Sequence, residues 1–334
     1  MKNFEPKLAV FAVVLVLITG LLVPAMAQSK APDEYEMVLI LPGPINDQSW
    51  NAANYAGLQA VNSDLGADME YVENVQASDF ESTFKSYGRK GYDLVIAAGT
   101  QFNEAARSVA PDYPDTHYLI VNGNVSKDPN LSSVKMKEWE SGFLSGILMG
   151  YAVEEWGEED PIIGQIGGFP NRLMKYALNG VTLGARMINE DISVVRSYAN
   201  SWSDIGKGRE LASSMVEKGA DAVFCYANQV GLGAIEAAKG KAKYVGFASN
   251  QNSVAPDTVV ASVLYDYGVL YKLKVEQFMN GNLEPKVSMA GVREGVVNIE
   301  YNDIATEEMK ETVSEAREMM IEGEILDMLT RPTD

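Results

Sequence analysis

A single cysteine, Cys225, and a single histidine, His117, in 334 residues exclude several kinds of chemistry at the outset. One thiol allows no internal disulfide, and one imidazole cannot assemble the usual zinc ligand sets or a Cys–His nucleophile pair. Cys225 lies within Ala222-Val223-Phe224-Cys225-Tyr226 and reads as a buried core thiol. His117 precedes Tyr118-Leu119-Ile120-Val121 and reads as a structural residue at a strand edge. Positive charge is also scarce: 27 Lys and Arg against 46 Asp and Glu leave a formal charge of −19. Such a surface repels nucleic acid and anionic membranes, so neither is expected as a partner.

Cofactor and catalytic signatures are missing as well. Gly164-x-x-Gly167-Gly168 follows a strand-like run but lacks the dinucleotide fingerprint, and Gly206-Lys207-Gly208 lacks the spacing and hydroxyl of a phosphate loop. The acidic run Glu158-Glu159-Asp160 sits in a polar connection, where solvation suits it better than calcium or general acid–base work. Ser201 and Ser249 have no histidine to activate them. No catalytic residue, metal ligand or cofactor is therefore expected, and the chain does not read as an enzyme.

The amino terminus holds the one long apolar run. Lys2 and Lys7 precede Leu8 to Val23, and Pro24-Ala25-Met26-Ala27 supplies an Ala-x-Ala pattern. Residues 1–27 thus read as a cleaved secretory signal peptide, with an uncleaved anchor as the alternative because the run is nearly long enough to span a bilayer. No cysteine stands near the cleavage point to carry a lipid. The expected location is the periplasm or the outer surface of the cell. Loss of Lys2, Lys7 and Glu5 with the signal moves the formal charge from −19 to −20. About 307 residues remain, more than one typical core, which suggests two domains.

Beyond residue 35, strand-like and helix-like runs alternate. Strands are expected at 37–41, 69–75, 94–98 and 118–121, with helices at 49–65, 79–89 and 101–109 between them. This spacing means βαβ units and a parallel sheet. An apolar helix over 139–153 carries Gly142, Gly146 and Gly150 on one face, which suits close packing of helix on sheet. The acidic segment 154–161 then breaks the pattern and is the expected crossing between two lobes. Alternation restarts with strands near 162–166, 193–199, 222–226 and 244–248 and helices near 173–188, 205–218 and 232–238. A helix at 268–279 and strands within 287–299 are expected to return to the first lobe, and 306–326 reads as an acidic amphipathic helix. The expected division is 28–156 plus 268–334 for lobe 1 and 157–267 for lobe 2.

Two such lobes with facing strand ends form a cleft that closes on a small molecule by hinge motion. The stretch Pro42 to Asn51 joins the first strand to the first helix and places Asp47 and Trp50 at a strand's carboxyl end. A carboxylate and an aromatic ring three residues apart can accept hydrogen bonds from a flat heterocycle and stack on it. An Asp helix cap beside a half-buried core Trp accounts for the same spacing.

Asn46-Asp47-Gln48-Ser49-Trp50-Asn51, Glu140 to Gly146, Gly164 to Gly168 and Gly219-Ala220-Asp221-Ala222-Val223-Phe224 together resemble the basic membrane protein family over essentially the whole mature chain. These are substrate-binding proteins of nucleoside-uptake ABC transporters. The resemblance implies an α/β, two-lobed type I periplasmic-binding fold, each lobe a mainly parallel sheet flanked by helices. It also implies a monomer that delivers a purine base or nucleoside to permease subunits. Asp47 and Trp50 match the family's acidic and aromatic residues of the first loop, and Asn46, Asn51, Gly99, Thr100, Phe169, Tyr226 and Asn228 complete the implied lining. The family's ribose-binding Asp falls here at Ala248-Ser249-Asn250, and a Lys shortly after it at Tyr265. Ser201-Trp202-Ser203-Asp204 resembles a branch specialised for free nucleobases. An Asp lost from the sugar side removes hydrogen bonds worth about 1.5–3 kcal/mol each, while an added indole offers about 1–3 kcal/mol of stacking. The expectation is a preference for a bare base such as adenine or hypoxanthine, with a nucleoside as the alternative.

Overall fold

The computed structural model describes residues 30–46, 50–157 and 160–325. The expected signal peptide, residues 1–27, lies outside them. The first sheet contains β1 (Met37–Ile40), β2 (Glu70–Val72), β3 (Leu94–Ala98), β4 (His117–Val121), β5 (Leu131–Met136) and β11 (Val287–Ala290), in the order β11-β5-β4-β3-β1-β2 and entirely parallel. The second contains β6 (Ile162–Gly167), β7 (Ser193–Tyr198), β8 (Ala222–Tyr226), β9 (Lys243–Ala248), β10 (Val259–Tyr265) and β12 (Val297–Tyr301), in the order β12-β10-β9-β8-β6-β7. Only β12, against β10, is antiparallel. The central strands are apolar throughout, as in Met37-Val38-Leu39-Ile40 and Leu94-Val95-Ile96-Ala97-Ala98, because helices cover both faces.

On the first sheet, α1 (Trp50–Leu65) packs with α8 (Tyr267–Met279) over one face, and α2 (Phe80–Lys90) and α3 (Asn103–Val109) cover the other. On the second, α6 (Ile205–Glu217) and α7 (Val230–Ala238) cover one face, while α4 (Glu138–Trp156) lies on the other with α5 (Arg172–Ile188) and α9 (Glu307–Glu322) against it. This placement corrects two expectations. The chain leaves the first sheet at Lys137, before α4, and not along 154–161. The expected run of strands within 287–299 also splits: β11 joins the first sheet, and β12 pairs with β10 in the second. Gly142, Gly146 and Gly150 do serve close packing, but against helix α5: a Cβ on Gly142 or Gly146 would lie 2.2 Å from the carbonyl oxygen of Ala177 or Val181.

Three segments pass between the sheets and are tied together. Lys137 Nζ lies 3.4 Å from Glu140 and 3.3 Å from Glu294. The Val292 backbone N–H donates to Glu140 at 2.7 Å, and that of Gly291 to Glu294 at 2.8 Å. With the passage at Tyr265-Asp266-Tyr267, these form a hinge whose backbone groups are paired by side chains.

No strand was expected over 131–136, because serines interrupt it. Their hydroxyls are satisfied internally: Ser133 donates to Val125 O at 2.5 Å, and Ser132 meets His117 Nε2 at 2.8 Å. His117 begins β4, as expected, and burial lowers its pKa to about 4. In the unfolded chain it titrates near 6.5, so the unfolded state binds more protons between pH 6.5 and 4, and stability falls as pH falls through that window. Relative to its value at pH 7.5, the stability contribution of His117 should be lower by about 2 kcal/mol at pH 5. Urea unfolding of wild type and His117→Gln at both pH values checks this: the wild-type loss should exceed the variant's by that amount, and equal losses would show an imidazole exposed to water. Cys225 is buried in β8 as expected, with its thiol pKa pushed up by burial.

Candidate functional site in the cleft between the sheets

Strand ends from both sheets converge where the chain changes from strand to loop. From the first sheet, Trp50 opens α1 and is half-buried; its Nε1 donates to Ala98 O at 3.1 Å, and its ring meets Tyr267 edge-on at 5.7 Å. From the second, Tyr226 ends β8 and Tyr265 ends β10. Tyr226 lies 4.0 Å from the Phe247 ring, Phe247 lies 5.4 Å from Tyr265, and Tyr265 lies 6.5 Å from Tyr267. The wall running from Trp50 to Tyr226 is therefore aromatic and drawn from both sheets.

The hydroxyls on this wall have a fixed order. Ser141 donates its one proton to Glu138 O at 2.9 Å, so at 2.8 Å from Tyr265 it must accept, and Tyr265 in turn accepts from Tyr226 at 3.2 Å. Burial holds the pKa of both tyrosines well above the ordinary value, and they stay neutral. Glu138, the first residue of α4, is 2 % exposed, and its Oε2 has no hydrogen-bond partner. Burial pushes its pKa up to about 8, so the side chain is a carboxylic acid at neutral pH. Sequence reasoning missed Glu138, Ser141, Phe247 and Tyr267. The run Lys137-Glu138-Trp139-Glu140 looks like an ordinary charged helix start, and only burial separates Glu138 from it.

The other expected residues are placed as follows. Asp47 lies outside the described residues. Asn46 is exposed in the loop before α1, and Asn51 is buried with its Oδ1 accepting the Gly43 N–H at 3.2 Å, which holds that loop. Gly99 directly follows β3 with φ +136°, a backbone that L side chains rarely adopt, and Thr100 beyond it is exposed. Phe169 and Trp202 face each other at 5.3 Å, 36 % and 39 % exposed, at the ends of β6 and β7. Gly168 is what admits the indole, since a Cβ there would stand 2.4 Å from the Trp202 ring. The Gly168 N–H donates to Tyr226 O at 3.1 Å, so this pair follows the strand beside Tyr226. Asn228, Ser249 and Asn250 are exposed, and Asn250 Oδ1 accepts the Asn252 N–H in a local turn.

Ala248 ends β9 with φ +66°, unusual for a residue with a Cβ. It borders a cavity of about 500 Å³ that continues from Tyr265 and Tyr267 past Ala53 and Ala56 of α1 to Asp266, Asn298 and Glu300. Asp266 uses Oδ1 to cap α8 through Val269 N at 2.9 Å.

Residues 35–327 match the model described as ABC transporter substrate-binding protein PnrA-like. The chain belongs to that family. It is a substrate-binding component and not an enzyme, and such components act outside the cytoplasmic membrane and hand cargo to a permease. The chain is 30 % identical over 275 residues to basic membrane protein B of Borreliella burgdorferi, covering 78 % of this chain and 79 % of that protein. It is 26 % identical over 304 residues to the ABC transporter nucleoside-binding protein BmpA of Lactococcus lactis, with 84 % and 85 % covered. A solved transcriptional activator of the comK gene from Bacillus halodurans shares the fold at a TM-score of 0.76 and 24 % identity, covering 86 % of this chain and 98 % of that one. Solved solute-binding proteins of ABC transporter systems share it too. Among the described residues no helix is long and apolar enough to cross a membrane.

Proposed function

We propose that this protein captures a purine nucleoside, as a monomer, in the cleft between its two sheets and closes around it for delivery to an ABC permease. The observation that carries the reading is the polar continuation of an aromatic wall. The base is assigned to the aromatic wall from Trp50 through Tyr267, Tyr265 and Phe247 to Tyr226, and the cavity of about 500 Å³ lined by Tyr265, Tyr267 and Ala248 adjoins that wall. That size is ordinary for a ligand pocket of about 300–1,000 Å³. Ala248 offers the sugar nothing, but Asp266 keeps a second carboxylate oxygen beyond its capping bond, and Glu300 lies across the same cavity. Vicinal hydroxyls thus have carboxylate acceptors close by. The Lactococcus relative named as nucleoside-binding supports the same choice. The lobe division proposed here follows strand pairing, with Lys137, Asp266 and the 291–296 segment as the crossings.

Paired calorimetric titrations of adenosine and inosine, and of adenine and hypoxanthine, into ligand-stripped protein test the reading. Tighter binding of the nucleosides is expected. Tighter binding of the bases would return the site to a base-only ligand, which the exposed Phe169–Trp202 pair would then stack.

A further inference from the structure

We propose that Glu138 is a specificity-determining residue that binds the ligand as a carboxylic acid, donating from Oε2–H to an unprotonated ring nitrogen or a carbonyl oxygen of the nucleobase. This inference rests on the nucleoside reading above.

Three observations converge on it. Glu138 starts α4 two residues beyond the carboxyl end of β5, and its own carbonyl accepts from Ser141, whose hydroxyl meets Tyr265, which meets Tyr226. The Glu138 carbonyl is thus two hydrogen bonds from the aromatic wall, and its carboxyl lies close enough to Tyr226, Tyr265 and Tyr267 to act on all three electrostatically. Its side chain is 98 % removed from solvent and one oxygen is without a partner, a state that native proteins rarely leave uncompensated. The other oxygen is engaged by the residue's own backbone N–H, which places the acid proton on the free Oε2. A lone buried hydroxyl donor beside an aromatic wall fits an acceptor atom on a flat heterocycle, and no side chain among the described residues meets it.

The titratable groups facing Glu138 among the described residues are Lys135 on β5, Tyr226 on β8, Tyr265 on β10 and Tyr267 on α8. Burial holds all three tyrosines protonated, so Glu138 is the member of this group that ionises as pH rises through about 8. Ionisation removes the donor proton and should weaken binding.

The test is adenosine titration at pH 7 and pH 9, with inosine at pH 7 alone, into wild type, Glu138→Gln and Glu138→Leu, each checked by melting. Wild type should lose about tenfold in affinity between the two pH values. Glu138→Gln retains a neutral N–H donor and should bind within a few fold of wild type at pH 7, without the loss at pH 9. Glu138→Leu should bind at least tenfold more weakly at both. Wild-type affinity in the Leu variant, or a Gln variant as weak as Leu, would overturn the inference. If Glu138→Leu does not fold, the Gln profile decides, and a loss at pH 9 that persists in it overturns the inference. A wild type that binds neither nucleoside would overturn the nucleoside reading itself, and this inference with it.

Discussion

Trp50→Ala should weaken nucleoside binding by ten- to a hundredfold while leaving the fold intact. The ring stands at the first residue of α1, half-buried, and is held by one hydrogen bond to Ala98 O and one edge contact to Tyr267. In the proposed site it is the stacking surface that α1 contributes, joined through Tyr267 to Tyr265 of the second sheet. Base stacking on such rings contributes about 1–3 kcal/mol, and 1.4 kcal/mol is a factor of ten in affinity. The loss should appear mainly as faster release, because the diffusional approach is unchanged. Trp50→Phe keeps a stacking face but drops the Nε1 bond that sets its tilt, so it should fall between the two. Calorimetric titration with adenosine checks both variants. Undiminished binding by Trp50→Ala would make this ring a packing element of the hinge.

Gly146→Ala should cost this protein about 3 kcal/mol of stability or more, as should Ala at the equally crowded helix glycines Gly184 and Gly233. Its new Cβ would stand 2.2 Å from Val181 O, 2.8 Å from Ala185 N and 2.9 Å from Gly184 Cα, all backbone atoms of α5. A flexible side chain could turn away; a helix backbone must move as a whole. Inserting a methylene into a packed core typically costs about 1–3 kcal/mol, and a clash with main chain on several sides should reach or exceed the top of that range. A useful contrast is Gly66→Ala, where nothing lies within 4 Å and only the left-handed backbone, φ +69°, opposes the change, at about 1–2 kcal/mol. Urea unfolding of the two variants should separate them clearly. A Gly146→Ala protein no less stable than Gly66→Ala would mean that α4 and α5 lie further apart than these distances require.

The alternation of apolar runs and amphipathic segments already implied two parallel sheets, since each strand flanked by Gly, Pro or Asx and followed by a helical period has few other ways to bury its side chains. Element positions such as the strands 94–98 and 222–226 and the helix near 173–188 followed from local composition alone. The scarcity of His and Cys likewise excluded whole reaction classes without any coordinates. Trp50 and Tyr226 were legible as strand-end aromatics because connectivity fixes which end of a parallel strand faces the cleft, whereas Tyr265 entered only through the resemblance, at the place of a Lys, and its strand β10 was not expected.

Other features depended on pairing between segments distant in sequence. Strand β5 hid behind Ser132 and Ser133, whose polarity is cancelled only by His117 and Val125 lying alongside. Residues 297–301 carry no local mark that distinguishes joining the second sheet from joining the first; the partner β10 decides it. Glu138 and Glu140 stand two apart in one acidic stretch. Glu140 finds Lys137 and the Val292 N–H, while Glu138 is enclosed with one oxygen unpaired, and that difference arises only when the hinge brings three separate passages of chain together. Composition and periodicity are properties of a segment, and they determined the architecture. Burial, and with it the charge state and hydrogen-bonding role of a side chain, is a property of what surrounds the segment, so the chemistry of the cleft was decided by the tertiary structure.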